Sequence, residues 1–213
     1  MTEPGTGSAV HPIEQASYRI MAERVDLSGW PPGARDVVAR MIHATADESF
    51  AASALVGERA VVAAVAALAA GAPVVCDARM VVAGLPSVPG VVCFLDQVPE
   101  APPGGTRSAA AIRLAAEQHA DGALWVVGNA PTALFALLDL AAAGVVRPAA
   151  VIGLPVGYVG AAESKVALWS GDLRPVAITN TGVRGGSPAA AGAVNALARL
   201  AREGRGPAGP AST

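Results

Sequence analysis

The chain has 213 residues, 53% of them hydrophobic and 15% charged, with a formal net charge of −2. That balance excludes an intrinsically disordered chain, which carries few apolar residues and many charges. It offers no basic surplus to draw nucleic acid or an anionic membrane. Two cysteines, with no C-x-x-C and no Cys/His cluster, exclude a disulfide framework and a thiolate zinc site. A reduced cytoplasmic compartment is expected. The longest uncharged runs, Ala60 to Cys76 and Gly122 to Leu138, are interrupted by turn signals and shorter than the ~20 apolar residues of a membrane span. The start of the chain has no basic n-region and no apolar h-region, so no signal peptide is expected.

Taken along the chain, residues 1–12 and 204–213 are rich in Gly, Pro, Ser and Thr and read as tails. A helix is predicted over Asp36–Asp47 and a second over Glu58–Ala70, stopped by Gly71. Strands follow at Val74–Cys76 and Val91–Leu95, then a helix over Thr106–His119. Leu124–Val127 reads as a strand, Ala130–Ala143 as a helix stopped by Gly144, and Ala149–Leu154 as a strand. A helix from about Val159 to Trp169 and a strand at Val176–Thr179 come next. Ser187-Pro188 opens the last helix, with Ser187 as N-cap and Pro188 at the first helical position. Apolar runs separated by helices predict a mainly parallel sheet covered on both faces. The expected architecture is an α/β protein, a single layered α/β/α sandwich over residues 1–213.

Open α/β sheets bind ligands at the carboxyl ends of their strands. Three strand-to-helix loops there are rich in Gly, Asn and Ser. They are Gly128-Asn129-Ala130-Pro131-Thr132, the loop Gly153–Gly160 around Gly157, and Thr179–Ser187 with Arg184, Gly185 and Gly186. Gly104-Gly105-Thr106-Arg107-Ser108 opens another helix. Each is either a simple helix cap or an anion site using backbone N–H groups and the helix dipole. No G-x-x-x-x-G-K-[ST] is present, and the loop Gly153–Gly160 is not G-x-G-x-x-G because three residues separate its first two glycines, so carboxylates fit the anions better than nucleotide phosphates do.

His43 is the candidate acid/base. Val37, Val38, Met41 and Ile42 form one apolar helix face, and His43 lies off it, as a surface residue or a proton carrier. Asp47, four residues on, is placed to orient the ring or favour its charged form. His11 lies in the tail and His119 at a helix end. Lys165, the only lysine, is either a solvated helix charge or a functional cation. Arg107 and Arg184 are ordinary loop arginines or bidentate carboxylate partners. Cys76 and Cys93 read as inert core thiols.

Several segments together resemble the precorrin-8X methylmutase family, which includes the cobalt-precorrin-8 methylmutases. They are Met41-Ile42-His43-Ala44, Cys76-Asp77-Ala78-Arg79-Met80-Val81, Thr106–Ala111, Gly128–Phe135, Gly153–Lys165, and Gly185-Gly186-Ser187 before an Ala-rich helix with Asn195. The resemblance runs from about Ser17 to Leu200 in one order. Two departures stand out: residue 79 is Arg where the family often has an acidic residue, and residues 182 and 183 are Gly and Val where an Arg is common at 182.

The resemblance implies an isomerase of cobalamin biosynthesis that moves a methyl group from carbon 11 to carbon 12 of a corrin-type tetrapyrrole. It implies a homodimer with active sites near the interface. No cofactor and no protein-bound metal are expected. His43 takes the family's catalytic position and Ser17-Tyr18 its substrate-contacting pair. The polycarboxylate substrate is expected to meet Ser17, Tyr18, Thr106, Arg107, Ser108, Asn129, Ala130, Thr132, Gly157, Lys165, Arg184, Gly185, Gly186 and Ser187. Neighbouring enzymes of corrin synthesis are candidate partners. Precorrin-8X or its cobalt-loaded form would serve as substrate. A non-catalytic corrinoid carrier, or a phospho-sugar or nucleotide enzyme on a common α/β scaffold, are the rival readings.

Overall fold

Short runs of Val, Ile, Leu and Ala can form strands buried on both faces, because helices cover a parallel sheet from either side. The computed structural model describes residues 12–204. The helices are α1 (Pro12–Arg24), α2 (Pro32–Thr45), α3 (Phe50–Ser53), α4 (Ala60–Ala69), α5 (Arg79–Ala83), α6 (Arg107–Ala116), α7 (Pro131–Ala142), α8 (Ala161–Ser170) and α9 (Ser187–Arg202). The strands are β1 (Ala54–Val56), β2 (Val74–Cys76), β3 (Val91–Val92), β4 (Leu124–Val127), β5 (Ala150–Gly153) and β6 (Ala177–Asn180). The sheet order is β1-β6-β5-β4-β2-β3. β1 runs antiparallel to β6, with Ala54 opposite Asn180, and the other pairings are parallel.

Alternation along the strands divides the core into two layers. In β4, Leu124 and Val126 face the side packed by α2, α4 and α9, while Trp125 and Val127 face the side packed by α6, α7 and α8. The Ala-rich composition serves the first side. α9 is buried along most of its length by small residues. At Gly192 an added Cβ would lie 2.9 Å from the Arg40 carbonyl oxygen and 3.1 Å from Ala44 Cβ. The absent side chain therefore lets α9 lie directly against the helix that carries His43.

Several boundaries differ from expectation. α2 begins at Pro32, which suits the first turn because its missing N–H is unpaired there anyway, and it ends at Thr45 because Ala46 turns left-handed (φ 52°). Gly186, at φ 112°, is the N-cap of α9, so Ser187 is its first helical residue and Pro188 its second. α8 starts at Ala161, after Gly160 in the left-handed region. The strand expected at Val91–Leu95 keeps only Val91–Val92 and gives way to a 3₁₀ turn at Leu95–Gln97. α1, α3, α5 and β1 were not anticipated. α1 has no buried residue and hence no strong apolar stripe to read. β1 is an edge strand of three residues held by its pairing with β6. Pro12 opens α1 and Gly204 follows α9. The rest of the expected tails, with His11, lies outside the described residues.

Candidate active site

α2 turns Val37, Val38, Met41 and Ile42 into the core, as its periodicity predicts, and leaves His43 half-buried near its C-terminal end. α1 lies across this end. Ser17 Oγ is 3.1 Å from His43 Nδ1. The Tyr18 ring stacks on the imidazole with centroids 4.5 Å apart and planes within 7°. The ring is thus fixed at one edge and one face, and its Nε2 has no partner among the described residues. One turn earlier, Arg40 donates through Nη1 to Glu14 Oε1 at 2.5 Å and to Tyr18 Oη at 3.1 Å. Burial, and then the Arg40 charge, lower the His43 pKa below 6.5, against a smaller upward pull from Glu14. The surroundings therefore favour the neutral imidazole.

Asp47 does not orient the ring. It lies past the left-handed Ala46, where its carboxylate accepts from Ser49 N at 3.0 Å and from Arg184 Nη1 at 2.5 Å. Burial acts upward on it, but the Ser49 and Arg184 bonds prevail and hold it below the usual carboxylate range. Arg184 Nη1 also donates to Ser49 Oγ at 3.2 Å. This bridge ties the loop after β6 to the turn that follows α2, which brings His43 to the carboxyl end of the sheet.

The order of the sheet reverses between β2 and β4, the place where open α/β sheets leave a ligand crevice. Here the protein fills it with its own side chain. Asp77, at the end of β2 and 1% exposed, accepts from the backbone N–H groups of Gly128 (2.9 Å), Asn129 (3.0 Å) and Ala130 (2.8 Å). Burial pushes the Asp77 carboxyl up while these three amides pull it down. The expectation that the Gly128–Ala130 amides are open to a substrate anion is thereby corrected: an internal carboxylate already occupies them.

The other loops are stitched to one another. Thr106 caps α6 by accepting from Ala109 N at 3.2 Å, and its Oγ1 is 2.8 Å from Thr132 Oγ1 at the start of α7. Arg107 donates to the Val98 and Leu95 carbonyls at 2.7 and 3.1 Å. Ser108 is half-buried in the first turn of α6. Gly157 N donates to Val183 O at 3.1 Å and Gly186 N to Leu154 O at 2.8 Å. Gly185, at φ 156°, passes so close that an added Cβ would stand 2.3 Å from Leu154 O. Ser187 Oγ is buried with no partner among the described residues.

Lys165 is no solvated helix charge. It is 1% exposed, and its Nζ donates to Asn180 Oδ1 at 3.0 Å and to the Arg184 carbonyl. Burial lowers its pKa to about 8. Its amine is committed inside the protein, under the loop whose arginine reaches Asp47. Cys76 is a buried thiol pushed upward by burial, and Cys93 is raised for the same reason. Arg79 forms an exposed ion pair with Asp96. Asp77, Asn180, Arg40 and Glu14 were not assigned roles from the sequence. Only Asp77 carried a local signal, as a lone carboxylate directly after an apolar strand.

His43 borders a cleft of about 130 Å³ with Ser17, Arg24 and Glu48, and a shallow hollow of about 420 Å³ with Glu14 and Arg40. A hollow of about 800 Å³ lies away from these residues, between the start of α2, Val56 and Leu200. Among the described residues no helix is long and apolar enough to cross a membrane.

The family model for precorrin-8X methylmutase (CbiC) matches residues 12–200. A precorrin-8X methylmutase of Pseudomonas aeruginosa is 43% identical over 196 residues, covering 87% of this chain and 93% of its own. A cobalt-precorrin-8 methylmutase of Priestia megaterium is 35% identical over 201 residues, covering 90% and 88%. The crystal structure of a precorrin-8X methylmutase from Thermus thermophilus superposes with a TM-score of 0.81 at 38% identity, covering 91% of this chain and 97% of that one. The chain belongs to the precorrin-8X methylmutase family, isomerases of cobalamin biosynthesis.

Proposed function

We propose that the protein moves a methyl group from carbon 11 to carbon 12 of precorrin-8X by an intramolecular 1,5-sigmatropic shift, giving hydrogenobyrinic acid, with His43 lending and recovering a proton. The observation that carries this reading is the imidazole clamped by Ser17 and Tyr18, with Nε2 unpartnered among the described residues and beside a hollow. In the step, the proton on Nε2 of the imidazolium passes to a ring nitrogen of the macrocycle. The carbon 11–methyl bond breaks as the carbon 12–methyl bond forms, and the proton returns to Nε2. Carboxylates of the arriving substrate raise the pKa of the neutral imidazole and charge it. General acid catalysis contributes about 10²–10⁴-fold. The remainder comes from holding a reactive conformer away from water.

The substrate's acid arms are assigned to Ser17 and Tyr18, to Thr106, Arg107 and Ser108, to Asn129 and Thr132 beside Ala130, and to Gly157, Arg184, Gly185, Gly186 and Ser187. The uncapped N-termini of α8 and α9 support the later group. Lys165 acts through Arg184 as a positioning residue. A pocket that encloses a drug-sized ligand holds about 300–1,000 Å³, and a macrocycle with several acid arms lies at or above the top of that range. The smaller hollows at His43, with Tyr158 and Val159 94% and 88% exposed, support a homodimer whose second copy completes the wall. The chain acts as one domain in the cytoplasm, next to other enzymes of corrin synthesis. Over 196–203 residues the relatives named for precorrin-8X are 42–43% identical and those named for cobalt-precorrin-8 are 32–38% identical, while two of the latter reach 48–49% over 100–106 residues; the similarity over the longer span favours the metal-free substrate.

The test incubates purified protein with precorrin-8X and with its cobalt-loaded form and follows the visible spectrum. His43→Ala should lose turnover by at least about 10²-fold while still binding hydrogenobyrinic acid. Turnover that survives the substitution sinks the proton role, and binding without turnover by the wild type makes the protein a carrier.

A further inference from the structure

Arg40 and His43 are one turn apart on the same face of α2 and border the same hollow with Glu14 and Ser17. Only Nη1 of the guanidinium is engaged among the described residues, by one oxygen of Glu14 and by Tyr18 Oη. Its two other nitrogens leave half of the planar fork open. Both partners come from α1, the helix with no buried residue, and the Arg40 and Glu14 side chains are 31% and 36% exposed. Arginine with a free fork matches a carboxylate bidentately, and Glu14 fills that position with a single oxygen.

We propose that Arg40 binds one carboxylate of the ligand bidentately and that Glu14 holds its place in the empty protein. The inference rests on the polycarboxylate reading above and names the residue that receives one acid arm next to the proton donor. It also links binding to chemistry. The charged and titratable groups around His43 are Glu14, Tyr18 and Arg24 from α1, Arg40 from α2, and Asp47 and Glu48 from the turn after it. Arg24 pairs with Glu48 at 3.4 Å and Asp47 with Arg184. Of these pairs only Arg40–Glu14 lines the hollow of about 420 Å³ together with His43, so it is the pair that a ligand seated there meets. A ligand carboxylate on the Arg40 fork, with Glu14 displaced from it but still on the rim of the same hollow, adds negative charge beside His43, which favours the imidazolium.

The experiment titrates wild type, Arg40→Gln, Arg40→Lys and Glu14→Gln with hydrogenobyrinic acid by visible absorbance, and follows the His43 ring by NMR with and without it. Losing a bidentate charge-assisted contact weakens binding by about 10–100-fold in Arg40→Gln. Arg40→Lys should recover part of this. Glu14→Gln, which removes the competing carboxylate, should bind tighter by about 3–10-fold. Ligand should raise the His43 pKa in the wild type and less so in Arg40→Gln. A Kd in Arg40→Gln within about twofold of wild type, or weakening in Glu14→Gln as large as in Arg40→Gln, overturns the inference while leaving the methylmutase reading intact. If Arg40→Gln does not fold, Glu14→Gln decides alone. If the wild type binds no hydrogenobyrinic acid, both readings fall.

Discussion

The Asp77 clamp yields a quantitative prediction. Replacing Asp77 by Ala removes one carboxylate from three backbone donors at 2.8–3.0 Å. A hydrogen bond to a charged group contributes about 1.5–3 kcal/mol. The Gly128 N–H is in buried backbone and would stay unpaired, whereas Asn129 and Ala130 are half-buried and can take water. One full loss and two partial ones give about 3–5 kcal/mol. For a chain of this size that is a fall in Tm of about 6–20 °C.

Asp77→Asn keeps one acceptor oxygen and sheds the buried charge, so it should lose about half as much. Burial raises the folded-state pKa of Asp77, so the cost of ionising it in place is absent below the unfolded value and offsets part of these bonds as pH climbs through the folded one. Asp77→Asn does not titrate there, so the gap between the two proteins should narrow with rising pH. Urea unfolding at unchanged m-value measures the loss, and amide exchange at residues 128–130 locates it. A loss in Asp77→Ala below about 1 kcal/mol would mean that water serves these amides. The backbone amides of Gly128–Ala130 would then return as a site for a substrate carboxylate, and the internal clamp would be refuted.

Other substitutions probe the same geometry. Lys165→Met strips the buried Asn180 Oδ1 of its donor and leaves the Arg184 carbonyl with Asn180 Nδ2 at 3.1 Å, and it should destabilise by about 2–4 kcal/mol. It should also raise KM if the loop positions Arg184, and a fall in stability with KM unchanged would refute the positioning role. Gly192→Val forces α2 away from α9 and should destabilise by about 1–3 kcal/mol while slowing turnover through the displaced His43, as urea unfolding and the visible assay would record. The His43 ring should titrate below 6.5 by NMR, rise in Arg40→Gln, and fall further in Glu14→Gln. Since the folded value is depressed, the unfolded chain takes the proton first, and stability should fall as pH drops from 6.5 toward the folded value.

The apolar runs at Val74–Cys76, Leu124–Val127 and Ala150–Gly153, their alternation with helices, and the family motifs were all readable along the chain. Strands buried on both faces carry their environment in their own composition, and the face of α2 that excludes His43 follows from a period of 3.6 residues. The partners of the charged groups were not readable. Asp77 meets amides 51 to 53 residues away, and Arg184 meets a carboxylate 137 residues away. No local pattern marks such pairings, because packing across sheet order β5-β4-β2 and between α2 and α9 brings them together. Spacing along one helix pointed to Asp47 as the orienter of His43, but a left-handed residue at position 46 turned it toward Arg184. Burial and chain reversal decide what a polar side chain touches, and those are properties of the assembled layers rather than of any segment.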